Sequence, residues 1–361
     1  MNRCIPLLTA VTASLLINAS AEKDLAPLLE PILKESNLPS IAAALVVGDE
    51  IRATGAVGVR KLGDVTVVTV DDKYHLGSCT KPMTATLVAI LIEDGLLTWQ
   101  TTIGDVLRGT HRKFKDVTIE QLLSHTGGLA KECPPKIWAQ AFSDQGRMSS
   151  TKQRQRFVDD LLSEKPDYEP GTKTDYSNQG YAVVGVMLET LAKKPWEDLM
   201  RERLFKPLGM DSAGFRAPQP DQPWGHSNNT PVAPEPRGDN PDAIGPAGTV
   251  HMSIKDWAKF ARFHLQQEEG KLLKKPESFE KLNSTLEKSG KHGVGGWLVQ
   301  DIPGMGGHCL QMTGSNTMWF SLLWIIPGQD KAIVVTTNSA QKNAFETCDK
   351  AVAALLSMKD E

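Results

Sequence analysis

The residue pattern predicts an α+β fold: an antiparallel sheet flanked by helices, together with an all-helical lobe. Strand-like stretches lie near the front of the 361-residue chain, at 41–47 and 51–59. They return near its end, at 296–300, 308–313, 318–326 and 332–337. Helical periodicity fills the middle, at about 80–94, 118–124, 151–163, 178–193, 196–204, 253–268 and 277–286. Strands at both ends with helices between place residues of about 22–76 and 290–361 in one sheet lobe and about 77–289 in a helical lobe. The cleft between such lobes is where a site is expected.

In chain order, the first 21 residues read as a leader rather than as part of the fold. They carry one positive charge at Arg3, an apolar core over 5–17 and the small-residue pattern Ala19-Ser20-Ala21. This predicts cleavage after Ala21 and export, and the apolar run is shorter than the about 20 residues that span a membrane. An amphipathic helix follows over 24–35, with Leu25, Leu28, Leu29, Ile32 and Leu33 on one side. Gly48-Asp49-Glu50 then separates two apolar runs, as in a hairpin. Between Pro218 and Pro246 lie eight of the chain's 22 prolines and few large apolar side chains, which predicts a long irregular loop. The last two strands join across Pro327-Gly328-Gln329-Asp330, and a helix over 344–358 closes the chain.

Composition excludes some functions. Formal net charge is −3 and the densest basic run, Lys152 to Arg156, reads as a solvated helix face, so nucleic acid is not an expected partner. No His-Glu-x-x-His or Cys-x-x-Cys spacing occurs, and neither a metal nor another cofactor is expected. Export makes disulfides possible among Cys79, Cys133, Cys309 and Cys348. Cys79 reads as a small buried thiol, leaving any bridge to two of the other three.

Chemistry gathers first at Tyr74-His-Leu-Gly-Ser-Cys-Thr-Lys-Pro-Met83. Ser78 and Lys81 are three apart, which makes them neighbours on one helix face, roughly 5–6 Å between Cβ atoms. Pro82 is tolerated only in a first turn, so the helix is expected to begin at about Ser78. A serine there sits where unpaired N–H groups favour a developing oxyanion. Ser-x-x-Lys also occurs at Ser20, Ser149, Ser278 and Ser339, where a surface helix pair explains it. Ser78 alone combines a preceding glycine, a strand-like lead-in and a long apolar helix.

The second signal is Tyr176-Ser177-Asn178, at the start of a helix after the turn Pro170-Gly171. A phenol and an amide two residues apart can move a proton and hold polar groups; a capping turn with Ser177 or Asn178 as N-cap is the alternative.

Together these motifs make the chain resemble the penicillin-recognising serine hydrolases, the superfamily of class C β-lactamases, D-alanyl-D-alanine carboxypeptidases and related esterases. The resemblance extends over Gly77 to Lys81, Leu122-Leu-Ser-His-Thr-Gly-Gly-Leu129, Tyr176 to Tyr181, Pro246-Ala247-Gly248 and Gly295-Gly296-Trp297. It implies a β-lactamase/transpeptidase-like fold and an acyl-serine mechanism with Ser78 as nucleophile. Lys81 and Tyr176 would share the proton traffic, either of them serving as the base, and Asn178 would hold Lys81 and the substrate. The N–H groups of Ser78 and Ser315 would form the oxyanion hole.

One departure bears on substrate. Where relatives carry Lys-Thr-Gly or His-Thr-Gly on the strand beside the nucleophile, this chain reads Met312-Thr313-Gly314. Thr313 and Gly314 keep a surface along which a substrate backbone can lie, but Met312 cannot pair with a carboxylate. His308 is about 13 Å up the strand at 3.3 Å per residue, and Lys291 and His292 are expected in an exposed loop. His125 is expected to be a structural turn residue that hydrogen-bonds the helical lobe. The reading is hydrolysis of ester or amide bonds in a small or peptide-like substrate. The alternatives are a carboxypeptidase or β-lactamase, and a penicillin-binding or sensor module without turnover.

Overall fold

A computed structural model describes residues 22–235, 238–268 and 270–358, so the expected leader lies outside the described residues. The strands are β1 (Lys23–Asp24), β2 (Ser40–Val47), β3 (Glu50–Gly58), β4 (Lys73–His75), β5 (Gly214–Phe215), β6 (Gly225–Ser227), β7 (Thr230–Val232), β8 (Val250–Ser253), β9 (Leu298–Ile302), β10 (Gly307–Ser315), β11 (Phe320–Ile326) and β12 (Lys331–Thr337). Seven form one sheet in the order β1-β3-β2-β12-β11-β10-β9, antiparallel except for the short β1–β3 pair. The two chain ends meet where β12 pairs with β2, Lys331 opposite Val47 and Thr336 opposite Ala42.

The period of two along the central strands explains why both faces of the sheet are covered. Ala42, Ala44, Val46, Ala332 and Val334 enter the larger core, while Ile41, Ala43, Leu45, Ile333 and Val335 enter a second one. The second core is closed by helices Ala26–Ser36 and Ala344–Leu356. On the other face lies helix Ile254–Gln266, which packs on β2, β3, β11 and β12; the same larger core takes in helix Thr80–Glu93, buried from Thr80 to Leu91. A helix covered on every side has no polar face to keep, hence its almost unbroken apolar run. Helix Ile254–Gln266 thus rests on the sheet, although it falls within the 77–289 stretch assigned from sequence to the helical lobe.

Local chemistry accounts for other differences from expectation. The proline-rich segment is not wholly irregular: β6 and β7 form a hairpin around Asn228 and Asn229, whose φ values of 47° and 64° suit a two-residue turn that asparagine tolerates. Helix Pro135–Asp144 was not foreseen; its proline stands in the first turn, where it needs no donor. Strand β9 begins at Leu298 rather than 296 because Gly296 turns at φ 79°, where a Cβ would lie 2.7 Å from Tyr181 Oη. The cysteines at 79, 133, 309 and 348 are free thiols, with Cys79, Cys309 and Cys348 buried.

Candidate active site

Strand β4, paired with β8, leads the chain into Gly77, which takes φ 51°. Residues Gly77–Cys79 form a 3-10 turn and the α-helix starts at Thr80, two residues later than expected. Packing against β10 accounts for the tight turn. A Cβ on Gly77 would stand 2.3 Å from Ser315 N, and one on Gly314 would stand 2.0 Å from Leu76 O and 3.0 Å from Ser78 N. Two glycines therefore let backbone meet backbone, bringing the amides of Ser78 and Ser315 into the same small volume.

Lys81 is fully buried one helical turn on from Ser78. Its Nζ is 3.1 Å from Ser78 Oγ, 2.7 Å from Asn178 Oδ1 and 3.0 Å from the Ala247 carbonyl oxygen. Burial without a carboxylate partner pushes the Lys81 amine down to about 7. The Tyr176 hydroxyl is hydrogen-bonded to Ser78, and desolvation holds the phenol well above its ordinary range although the residue as a whole is half-buried. The Tyr176 ring centroid is 4.7 Å from Lys81 Nζ. The capping turn is present, with Ser177 as the N-cap accepting from Gly180 N at 3.3 Å, and Asn178 reaches Lys81 from the same helix start.

On β10 the pairing with β9 ends at Gln311 opposite Leu298, so Met312 to Ser315 continue past it beside the Gly77–Cys79 turn. Met312 shares the face of Leu310 and Gly314, lies in the larger core and is 5% exposed. Thr313 is half-buried and Ser315 exposed. The strand thus brings the four residues to the site, but its first position presents little surface and no charge.

His125 is the structural turn residue expected. Its backbone is left-handed at φ 64°, its carbonyl accepts from Asp175 N and Tyr168 Oη, both at 3.0 Å, and its Nδ1 accepts from Ser177 N at 3.0 Å. Burial and the nearby Lys81 hold it well below its ordinary pKa. His292 requires a correction. Rather than standing in an exposed loop it is half-buried, its ring 5.0 Å from that of His125 and 6.0 Å from that of Tyr176. Burial lowers its pKa as well. Its proximity to Gly295-Gly296 is the one signal the sequence held, because a Cβ on Gly296 would lie 2.9 Å from the Lys81 carbonyl carbon. Lys291 and His308 are exposed. Sequence reasoning also missed the buried His75–Asp239 pair behind the turn, Nε2 to Oδ1 at 3.0 Å.

Among the described residues no three His, Cys, Asp or Glu side chains converge as a metal site would require. No described helix is long and apolar enough to cross a membrane. The arrangement offers a serine hydroxyl, an amine able to lose its proton near neutral pH, a neutral phenol and paired backbone amides, the parts of an acyl transfer centre.

Comparison with known proteins agrees with that geometry. A family model described as Beta-lactamase matches residues 25–357. Penicillin-binding protein 4 of Amycolatopsis lactamdurans is 30% identical over 338 residues, 87% of this chain and 84% of that protein. An unguisins hydrolase of Aspergillus campestris is 30% identical over 257 residues, 66% of this chain but 46% of its own length. Among solved structures, the octameric penicillin-binding protein homologue from Pyrococcus abyssi shares the fold, with TM-score 0.75 at 22% identity over 93% of this chain and 77% of that one.

Proposed function

The chain belongs to the beta-lactamase family of serine hydrolases, and we propose that it is exported and cleaves ester or amide bonds in a small or peptide-like substrate through an acyl-Ser78 intermediate. The observation that carries this reading is the environment of Lys81 Nζ. Two of its three neighbours, Asn178 Oδ1 and Ala247 O, can only accept hydrogen bonds. The protonated amine can donate to all three oxygens. Burial brings its pKa down to about 7, and once the proton is lost two N–H groups remain for those acceptors and a lone pair for the Ser78 hydroxyl 3.1 Å away. That neutral form supports Lys81, rather than Tyr176 with its raised pKa, as the base of the acylation step.

In that step the Ser78 O–H proton passes to Lys81 Nζ as Oγ bonds to the substrate carbonyl carbon. The carbonyl oxygen becomes an oxyanion facing the N–H groups of Ser78 and Ser315. The proton then goes to the leaving alcohol or amine through the Tyr176 hydroxyl, which stays protonated because its pKa is raised. Water, deprotonated by the regenerated amine, releases the acid and restores Ser78. Asn178 keeps Lys81 on its axis throughout.

Met312 supports neutral esters or amides over substrates that need a carboxylate held at this strand. A carboxypeptidase or β-lactamase is the second reading, favoured by the 30% identity to a penicillin-binding protein. The leader-like pattern of residues 1–21 supports export. The test is intact mass after exposure to a serine-reactive phosphonate, with turnover of a neutral chromogenic ester followed in parallel. The protein gains one adduct and turns over the ester, while Ser78→Ala does neither. An adduct on Ser78→Ala overturns the nucleophile assignment, and a lasting adduct on the intact protein without ester turnover turns the reading to a binding module.

A further inference from the structure

The proline-rich segment sends one carboxylate to the back of the site. Asp239 is 4% exposed and its Oδ1 is a meeting point. It accepts from Asn316 Nδ2 at 2.9 Å and from Asn240 N at 2.6 Å, and it stands 3.0 Å from His75 Nε2. His75 in turn accepts from Gly77 N on Nδ1 at 3.1 Å, which leaves the ring proton on Nε2, close to the carboxylate but outside hydrogen-bond geometry, so this arm is a buried contact rather than a hydrogen bond. Gly77 immediately precedes Ser78, and Asn316 immediately follows Ser315. Asn240 extends the same junction by donating to Gly248 O at 2.7 Å, next to the Ala247 carbonyl that holds Lys81.

We propose that Asp239 is a positioning residue for acyl transfer, setting the separation of the two oxyanion amides by tying His75 on one side and Asn316 on the other. The inference rests on the acyl-Ser78 reading. Three backbone segments distant in sequence must agree on one geometry for those amides to converge, and between them the neighbours Asp239 and Asn240 touch all three. Preorganised donors of this kind carry much of the catalysis in acyl transfer, and displacement by about 1 Å costs about 10²-fold in rate. The second oxygen, Oδ2, has no hydrogen-bond partner among the described residues, so an asparagine amide can occupy its place while Oδ1 keeps its role as acceptor.

The test compares acylation by a neutral chromogenic ester in Asp239→Ala, Asp239→Asn, Asn316→Ala and the double variant Asp239→Ala/Asn316→Ala. It also compares affinity for a boronic acid, which forms a tetrahedral anion on the serine. Asp239→Ala should lose about 10²-fold in acylation rate and a similar factor in boronate affinity, with KM within about threefold. Asp239→Asn should recover to within about tenfold of the parent. Because the two arms act as one device, the double variant should be no slower than the slower single one. If Asp239→Ala does not fold, Asn316→Ala and Asp239→Asn carry the same comparison. Parent-like acylation and boronate affinity in Asp239→Ala or Asn316→Ala overturn the proposal, as do fully additive losses. Boronate binding that survives in Ser78→Ala would overturn the underlying acyl-serine reading instead.

Discussion

Acidification titrates the amine on which the proposed mechanism depends, and the size of the effect follows from its burial. With Lys81 near 7, the neutral fraction is about one half at pH 7, about one tenth at pH 6 and about one hundredth at pH 5. The ratio kcat/KM for a neutral ester, which reports groups of the free enzyme, should therefore fall about tenfold per pH unit below 7 and level off above about 8. The ester must carry no titrating group. His125 and His292 lie close by, but both are held below their ordinary values and neither is required for the limb. The His292→Gln variant should therefore keep its midpoint, whereas Lys81→Met should have no limb and only residual activity. A midpoint above about 9 would mean that Lys81 holds its proton at neutral pH, refuting its role as base. A limb that moves with His292→Gln would assign the titration to the imidazole. Stability provides a second check. An unfolded lysine keeps its proton to about 10.5 whereas the folded one releases it near 7, so between those values the unfolded state binds more protons. Stability should rise with pH through that window, by at most about 1.4 kcal/mol per unit from this group. Lys81→Met should lose that slope.

Met312→Lys should speed acylation by carboxylate-bearing substrates about tenfold or more relative to neutral esters, in keeping with a charge-assisted contact of roughly 1.5–3 kcal/mol; an equal effect on both classes would refute the account of the departure. Gly314→Ala places a methyl 2.0 Å from the Leu76 carbonyl oxygen, so its urea midpoint should correspond to a loss of about 1–3 kcal/mol and its ester turnover should fall sharply. Gly304→Ala, where nothing lies within 4 Å of the added carbon, is the control. Equal stability of the two variants would mean that β10 and the nucleophile turn are not in backbone contact.

The residues alone determined what depends on short periods. Apolar stretches over 41–47 and 332–337 marked strands, and the apolar run after Ser78 marked a long helix. Ser78 and Lys81 were legible because three residues along a helix make neighbours whatever surrounds them, and Tyr176 and Asn178 because a helix start fixes its first side chains. The missing charge at Met312 was likewise a matter of reading one position. Only the tertiary structure decided the state of those groups. Lys81 sits near neutrality because Asn178 and Ala247, 97 and 166 residues away, close over it and exclude water without supplying a counter-charge. His292 joined the site, and Asp239 reached the back of the nucleophile turn, through contacts between segments that no local spacing connects. Periodicity records how a side chain relates to its own helix or strand. Burial and partners across the cleft arise from how those elements stack, and that stacking set the electrostatics of the site.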